Sequence, residues 1–209
     1  MQGYSATAAG AALLPFILVM FLLSRWSGAL ADRYGPRRSL IIGPLIAAAG
    51  YALFALPGTG GSYWTTFFPA ILVLGLGMAV SVAPLTTTVL SAVEQRHAGL
   101  SSGINTAVSR GAGLLAIAVL GLLLLGLFGR GLDRRLAALD LSPQARQALD
   151  RGREKLAAID IPASLPDEQR TAVRAAVAES FLGAYRGVML ASAGLALLAS
   201  LSAWWMIPR

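Results

Sequence analysis

Charge is distributed along this chain in blocks. Residues 1–24, 39–93, 111–129 and 187–208 contain no Asp, Glu, Lys or Arg. A bilayer's hydrocarbon core is roughly 30 Å thick and takes about 20 mostly apolar helical residues to cross. Each charge-free run supplies one crossing, and the run 39–93 supplies two. A water-facing helix would show polar residues along one face, and these runs show almost none. The pattern predicts five membrane-spanning helices, at about 8–27, 39–56, 64–90, 100–128 and within 181–209. The expected fold class is therefore all-α and transmembrane.

The breaks between runs have their own chemistry. Pro15 lies inside the first run and predicts a kink, which membrane helices tolerate when neighbours satisfy the freed carbonyl. Arg25 and Trp26 mark an interfacial end, and Asp32-Arg33-Tyr34-Gly35-Pro36-Arg37-Arg38 reads as a short polar loop. Pro57-Gly58-Thr59-Gly60-Gly61-Ser62 is a turn by composition. Tyr63 and Trp64 open the third span as interfacial aromatics, and Glu94-Gln95-Arg96-His97 form the next loop.

Residues 129–180 differ in character and read as an external amphipathic loop of water-facing helices. Ser142-Pro143 predicts an N-cap followed by proline in the first helical turn. Pro166-Asp167-Glu168 places acids where a helix dipole favours them. No proline interrupts the chain from Thr171 into the last span, so a surface helix is expected to run on into the membrane.

Hydrophobic residues make up 56% of the chain and charged residues 13%, about half the charge of a soluble domain. The net charge is +7. Residues 130–180 hold nine basic and eight acidic residues, so most of the excess flanks the apolar runs. That placement fits cationic loops beside lipid headgroups rather than nucleic-acid binding. The loop at 32–38 has three arginines and the turn at 57–63 has none, which predicts a cytoplasmic 32–38 loop. The C-terminus then lies on that same side, and 129–180 and the N-terminus on the other. A chain that starts outside without a basic signal segment implies a preceding span. The absence of cysteine excludes disulfides and thiolate metal sites. No nucleophile–base pair, metal cluster or phosphate loop is visible, so no enzyme, cofactor or metal is expected.

Gly28-Ala29-Leu30-Ala31-Asp32-Arg33-Tyr34-Gly35-Pro36-Arg37-Arg38-Ser39-Leu40 resembles the signature loop of the major facilitator superfamily. The departure is Pro36, where the first signature copy usually carries a basic residue. The signature occurs in both halves of such transporters. The third span lacks the arginine of the first half's fourth helix, and the fourth span lacks the first half's antiporter Gly-Pro pair. Ala98-Gly99-Leu100-Ser101-Ser102-Gly103-Ile104-Asn105-Thr106, the opening Gln2-Gly3-Tyr4-Ser5-Ala6-Thr7-Ala8-Ala9-Gly10 and the long external loop look like the second half of the 14-helix drug:proton antiporters, the EmrB/QacA-like group. The resemblance implies a five-helix part of a C-terminal bundle. Its partners would be the lipid bilayer, protons, a lipophilic or cationic small molecule and N-terminal helices missing from this chain. It also implies a cytoplasmic (inner) membrane location and a conformational role for the loop. A metabolite permease of the same superfamily is one alternative. A membrane subunit acting only by helix association is another.

Several residues invite two readings. Gly28 and Gly35 permit close approach of a neighbouring backbone. Asp32 can accept from free N–H groups at a helix start, and Arg33, Arg37 and Arg38 can pair with Asp32 or with lipid phosphate. Alternatively the loop only fixes topology. Arg110 lies within an apolar run, where charge is expensive; it either walls a central cavity or snorkels to the interface. Thr86 and Thr87, with Thr88, line a substrate path or bond back to carbonyls near Pro84, and back-bonding is the favoured reading. Asn105 reaches substrate or another helix. Gly75 and Gly77 read as helix-packing sites, and His97, the sole histidine, as a solvated loop residue. The apolar runs contain no acid, so a coupling carboxyl group is expected elsewhere in the transporter.

Overall fold

The computed structural model describes residues 6–58, 60, 62–91 and 94–207. The opening Gln2-Gly3-Tyr4-Ser5 and the terminal Pro208-Arg209 lie outside the described residues. The described chain is helical, without strands. The helices are α1 (Ala6–Ala11), α2 (Leu14–Tyr34), α3 (Pro36–Phe54), α4 (Tyr63–Thr66), α5 (Phe68–Ser91), α6 (Ala98–Leu136), α7 (Pro143–Arg151) and α8 (Asp167–Met206). Three segments, Phe68–Val89, Ala98–Leu136 and Asp167–Met206, are long and apolar enough to cross a membrane. Leu14–Ser24 is a shorter apolar stretch, and α3 carries Arg37 and Arg38 in its first turn. The architecture is that of an all-α, multi-pass membrane protein. It divides into two compact units, one formed chiefly by residues 116–188 and the other by most of the remaining chain.

In the larger unit, the first predicted span is interrupted rather than kinked. The helix breaks after Ala11, and Pro15 sits in the first turn of α2. There its missing N–H costs nothing, because the first-turn amides have no intrahelical partner. The predicted loop at 32–38 is almost wholly helical. Residue 34 ends α2, residue 36 begins α3, and Gly35 alone separates them. The Tyr63 hydroxyl donates to the Ala12 carbonyl at 2.6 Å, which holds the start of the α4 turn beside the start of α2.

The packing of α3 on α5 depends on missing side chains. A Cβ at Gly77 would lie 2.4 Å from the backbone nitrogen of Ala47, and one at Gly50 would lie 2.7 Å from that of Leu74. A Cβ at Gly43 would meet the Ser81 hydroxyl and the Gly77 carbonyl. Gly43, Ala47 and Gly50 recur at helical spacing on one face of α3, so the two backbones come into direct contact there. In lipid, where tails are as apolar as side chains, such close van der Waals packing is a main source of helix association. Gly75 meets Val19 and Phe16 of α2. Both glycines of the third span that were expected to pack do so.

The smaller unit turns the predicted external loop into a packed body. The fourth helix does not stop at Phe128 but runs to Leu136, because Phe128, Leu132 and Leu136 lie four residues apart on one buried stripe. Leu141, Ala145, Leu149, Ile159, Leu165, Val173, Ala176, Val177 and Ala184 complete the core. Each fully buried large side chain contributes about 2 kcal/mol. Ser142 caps α7 by accepting the Ala145 N–H at 3.3 Å, and Asp167 and Glu168 occupy the first turn of α8. Arg153 donates to Asp150 through Nε at 3.0 Å and Nη2 at 2.7 Å. It also donates to both carboxylate oxygens of Asp133. These bonds, that to Asp133 first, raise the Arg153 pKa against the opposing effect of burial. One planar guanidinium thereby ties the end of α6 to α7 and the chain that follows it.

Candidate functional site: the signature turn and the α5–α6 groove

The segment 28–40 folds as two helices joined by one residue. Gly35 has φ 81° and ψ 149°, a region open essentially only to glycine. Pro36 then starts α3 with its φ already fixed and no N–H to satisfy. The departure from the signature pattern thus falls where proline is well suited. A Cβ at Gly28 or Gly35 would meet no described atom within 4 Å. Gly35→Ala is expected to lower the unfolding temperature, at about 1–3 kcal/mol for forcing a side chain into this region. Gly28→Ala should leave the temperature unchanged or slightly raised, and thermal scans of both variants in detergent check this.

Asp32 and Arg33 lie in the last turn of α2. Arg33 there complements the negative end of its helix. The placement of the Asp32 side chain lies outside the described residues. Arg33 and Arg38 are exposed. Arg37 has a partner that was not among those expected for it. Its Nη2 donates to the backbone carbonyl of Trp204, at 2.8 Å, in the last turn of α8. Nearby, the buried Ser200 hydroxyl donates to the Ile41 carbonyl at 2.8 Å. The signature turn and the end of α8 therefore lie at the same end of this unit. Sequence reasoning missed this contact because nothing in local spacing links residues 37 and 204.

A groove of about 320 Å³ opens between the end of α5 and the start of α6. Val89, His97, Leu100, Ser101, Ile104, Asn105 and Val108 line it. The Ser101 hydroxyl donates to the Val89 carbonyl at 3.3 Å and joins the two helices. Asn105 is half-buried and His97 exposed. The threonines do not join this groove. Thr86 donates to the Val82 carbonyl at 3.1 Å, Thr87 to that of Pro84 at 3.0 Å and Thr88 to that of Pro84 at 2.6 Å. These bonds return hydroxyls to carbonyls of their own helix, three or four residues back. Arg110 is exposed on α6 and also stands apart from the groove.

The helix at 98–136 is unbroken and shows a second feature at its start. Ser102, Thr106 and Ser109 fall on one face at i, i+4 and i+7, with Arg110 beside them, and all four are exposed. The fourth span thus carries a polar stripe at its start, ahead of the charge-free run 111–129. Its signal was present in the spacing but was diluted by the surrounding glycines, alanines and leucines. The opposite side presents exposed Leu100, Ile104 and Val108.

Comparison with known proteins bears on what such a chain belongs to. Residues 1–133 match the family profile of the Major Facilitator Superfamily. The chain is 26% identical over 204 residues to the tetracenomycin C resistance and export protein of Streptomyces glaucescens, covering 96% of this chain and 37% of that one. It is 32% identical over 131 residues to a probable actinorhodin transporter of Streptomyces coelicolor, covering 61% and 22%. Against the multidrug resistance protein Stp of Mycobacterium tuberculosis it is 27% identical over 154 residues, covering 71% and 27%. The chain thus spans between a fifth and two fifths of the length of these relatives. With most of the sequence matched to one family and a glycine-hinged signature turn set between apolar helices, the protein belongs to the major facilitator superfamily.

Proposed function

We propose that the chain is the C-terminal part of a 14-helix exporter of lipophilic or cationic compounds in the cytoplasmic membrane, driven by proton exchange. The observation that carries this reading is its similarity, over nearly the whole chain, to an antibiotic resistance and export protein. In this reading α2, α3, α5, α6 and α8 cross the membrane, and residues 129–180 supply the external body. Arg37 at the end of α8 supports placing the signature turn and the C-terminus on one side, taken as cytoplasmic from the arginines at 33, 37 and 38.

Site roles follow from placement. An acid in the last turn of α2 opposes its own helix dipole. Asp32 therefore gains by meeting an arginine or the N-terminus of another helix, and conformational change in the complete transporter makes and breaks that interaction. Arg110, exposed on α6 and apart from the groove, faces the cavity between the two halves, and Asn105 meets substrate from the α5–α6 groove. Thr86 and Thr87, committed to helix carbonyls, contribute at most a secondary lining. Missing N-terminal helices supply the coupling acid.

The test uses the full-length parent protein in inverted membrane vesicles, with a fluorescent lipophilic cation and an imposed proton gradient. Wild-type protein should accumulate the cation, and Asp32→Asn should slow this about tenfold at equal expression, equivalent to about 1.4 kcal/mol. Gradient-independent behaviour would refute proton coupling. An unchanged rate in Asp32→Asn would leave the turn a topology-setting role alone.

A further inference from the structure

We infer that Arg37 and Ser200 form a two-point clasp that binds the C-terminal end of α8 to the signature turn, so that α3 and the end of α8 move as one body. Arg37 donates through Nη2 to the Trp204 carbonyl, and the Ser200 hydroxyl donates to the Ile41 carbonyl, each at 2.8 Å.

The chemistry explains why an arginine at this position acts on α8. The last four carbonyls of a helix have no intrahelical donor, and the partial negative charge of the macrodipole gathers there. A cation donating to one of them offsets both deficits, and a guanidinium does so from a planar, pre-organised fork. The neighbouring amide of Ile207 still closes the final turn by donating to Ala203 at 3.2 Å. Arg37 therefore caps a turn that is otherwise intact.

The second contact fixes direction. Ser200 lies four residues before Trp204, one turn further from the helix end, and is only 4% exposed. It reaches Ile41, which lies four residues after Arg37. The two bonds are thus one helical turn apart on both helices. A single contact would act as a pivot, whereas two at matched spacing prevent the helices from sliding past each other. Gly35 sits immediately before the clasped segment, in its glycine-only conformation. Bending at Gly35 then carries α3 and the end of α8 together relative to α2. The final helix becomes a working part of the signature turn rather than a peripheral anchor.

The test measures peptide-resolved hydrogen exchange on the full 209-residue protein in lipid nanodiscs. Arg37→Ala should accelerate exchange of the last turn of α8, including the Ile207 amide, roughly fivefold. Arg37→Lys, which retains a cation and a donor, should restore most of the protection, and Arg38→Ala should leave this turn unchanged. The second measurement places nitroxides on Ile42→Cys and Leu201→Cys, at exposed positions in a cysteine-free background. The wild-type background should give one narrow distance distribution. The distribution should broaden in Ser200→Ala and broaden further in the Arg37→Ala, Ser200→Ala double variant. Unchanged exchange in Arg37→Ala, or a broad distribution already present with both contacts intact, would overturn the clasp. This readout needs no transport, so it stands or fails independently of the exporter reading.

Discussion

Gly77→Leu is expected to separate α3 from α5 and to destabilise the larger unit by about 3 kcal/mol. Even the first added carbon would lie 2.4 Å from the Ala47 nitrogen and 2.8 Å from the Gly43 carbonyl oxygen. Both are backbone atoms, so no rotamer change relieves the clash, and one whole helix has to shift. That shift would also open the contact between Gly50 and the Leu74 backbone on the same seam. Gly194→Ala is the control, since a Cβ there meets no described atom within 4 Å. It should be neutral or stabilising, because glycine in a helix interior is worse than alanine by about 0.5–1 kcal/mol. Thermal unfolding of both variants in the same detergent measures the difference. Equal unfolding temperatures for the two would show that α3 and α5 do not pack through this seam.

Leu149→Ala should loosen the smaller unit while leaving the helices of the larger one folded. Leu149 is fully buried among Phe128, Leu132, Val173 and the rest of that core. Truncation removes its transfer free energy and leaves a cavity, for about 3 kcal/mol. A body of this size draws its stability from few large side chains, so that loss is a substantial share. Arg153→Gln should cost only about 1 kcal/mol, because its partners Asp133 and Asp150 are more than half exposed and solvent screens the pairs. Hydrogen exchange separates the cases. In Leu149→Ala, peptides from α7 and the following chain should lose protection while those from α3 and α5 keep it. Loss of protection throughout the protein would mean that the two units unfold as one. Unchanged protection in α7 would mean that Leu149 is not part of a cooperative core.

What could be read from sequence was whatever depends on local pattern. The lengths of the charge-free runs gave the helical class and the membrane solvent, because a bilayer imposes a minimum apolar length on every crossing. Ser142-Pro143 and Asp167-Glu168 gave two helix starts, because capping and dipole effects act within one turn. The threonines after Pro84 returned to their own helix for the same reason. The signature segment identified the family, since its residues are contiguous. What the tertiary structure alone decided involves groups far apart in the chain. Arg37 holds the Trp204 carbonyl, a partner that lies 167 residues away in the chain. The amphipathic pattern of residues 129–180 shows that they have an apolar face, but only the fold shows that those faces meet in one buried core with Phe128 and Ala184. A Cβ at Gly28 meets no described atom, while Gly43 and Gly50, unmarked in the sequence, press against Ser81 and the Leu74 backbone of α5. In each case the local pattern offers equivalent choices, and packing between distant segments selects one through backbone shape and the need to satisfy helix ends.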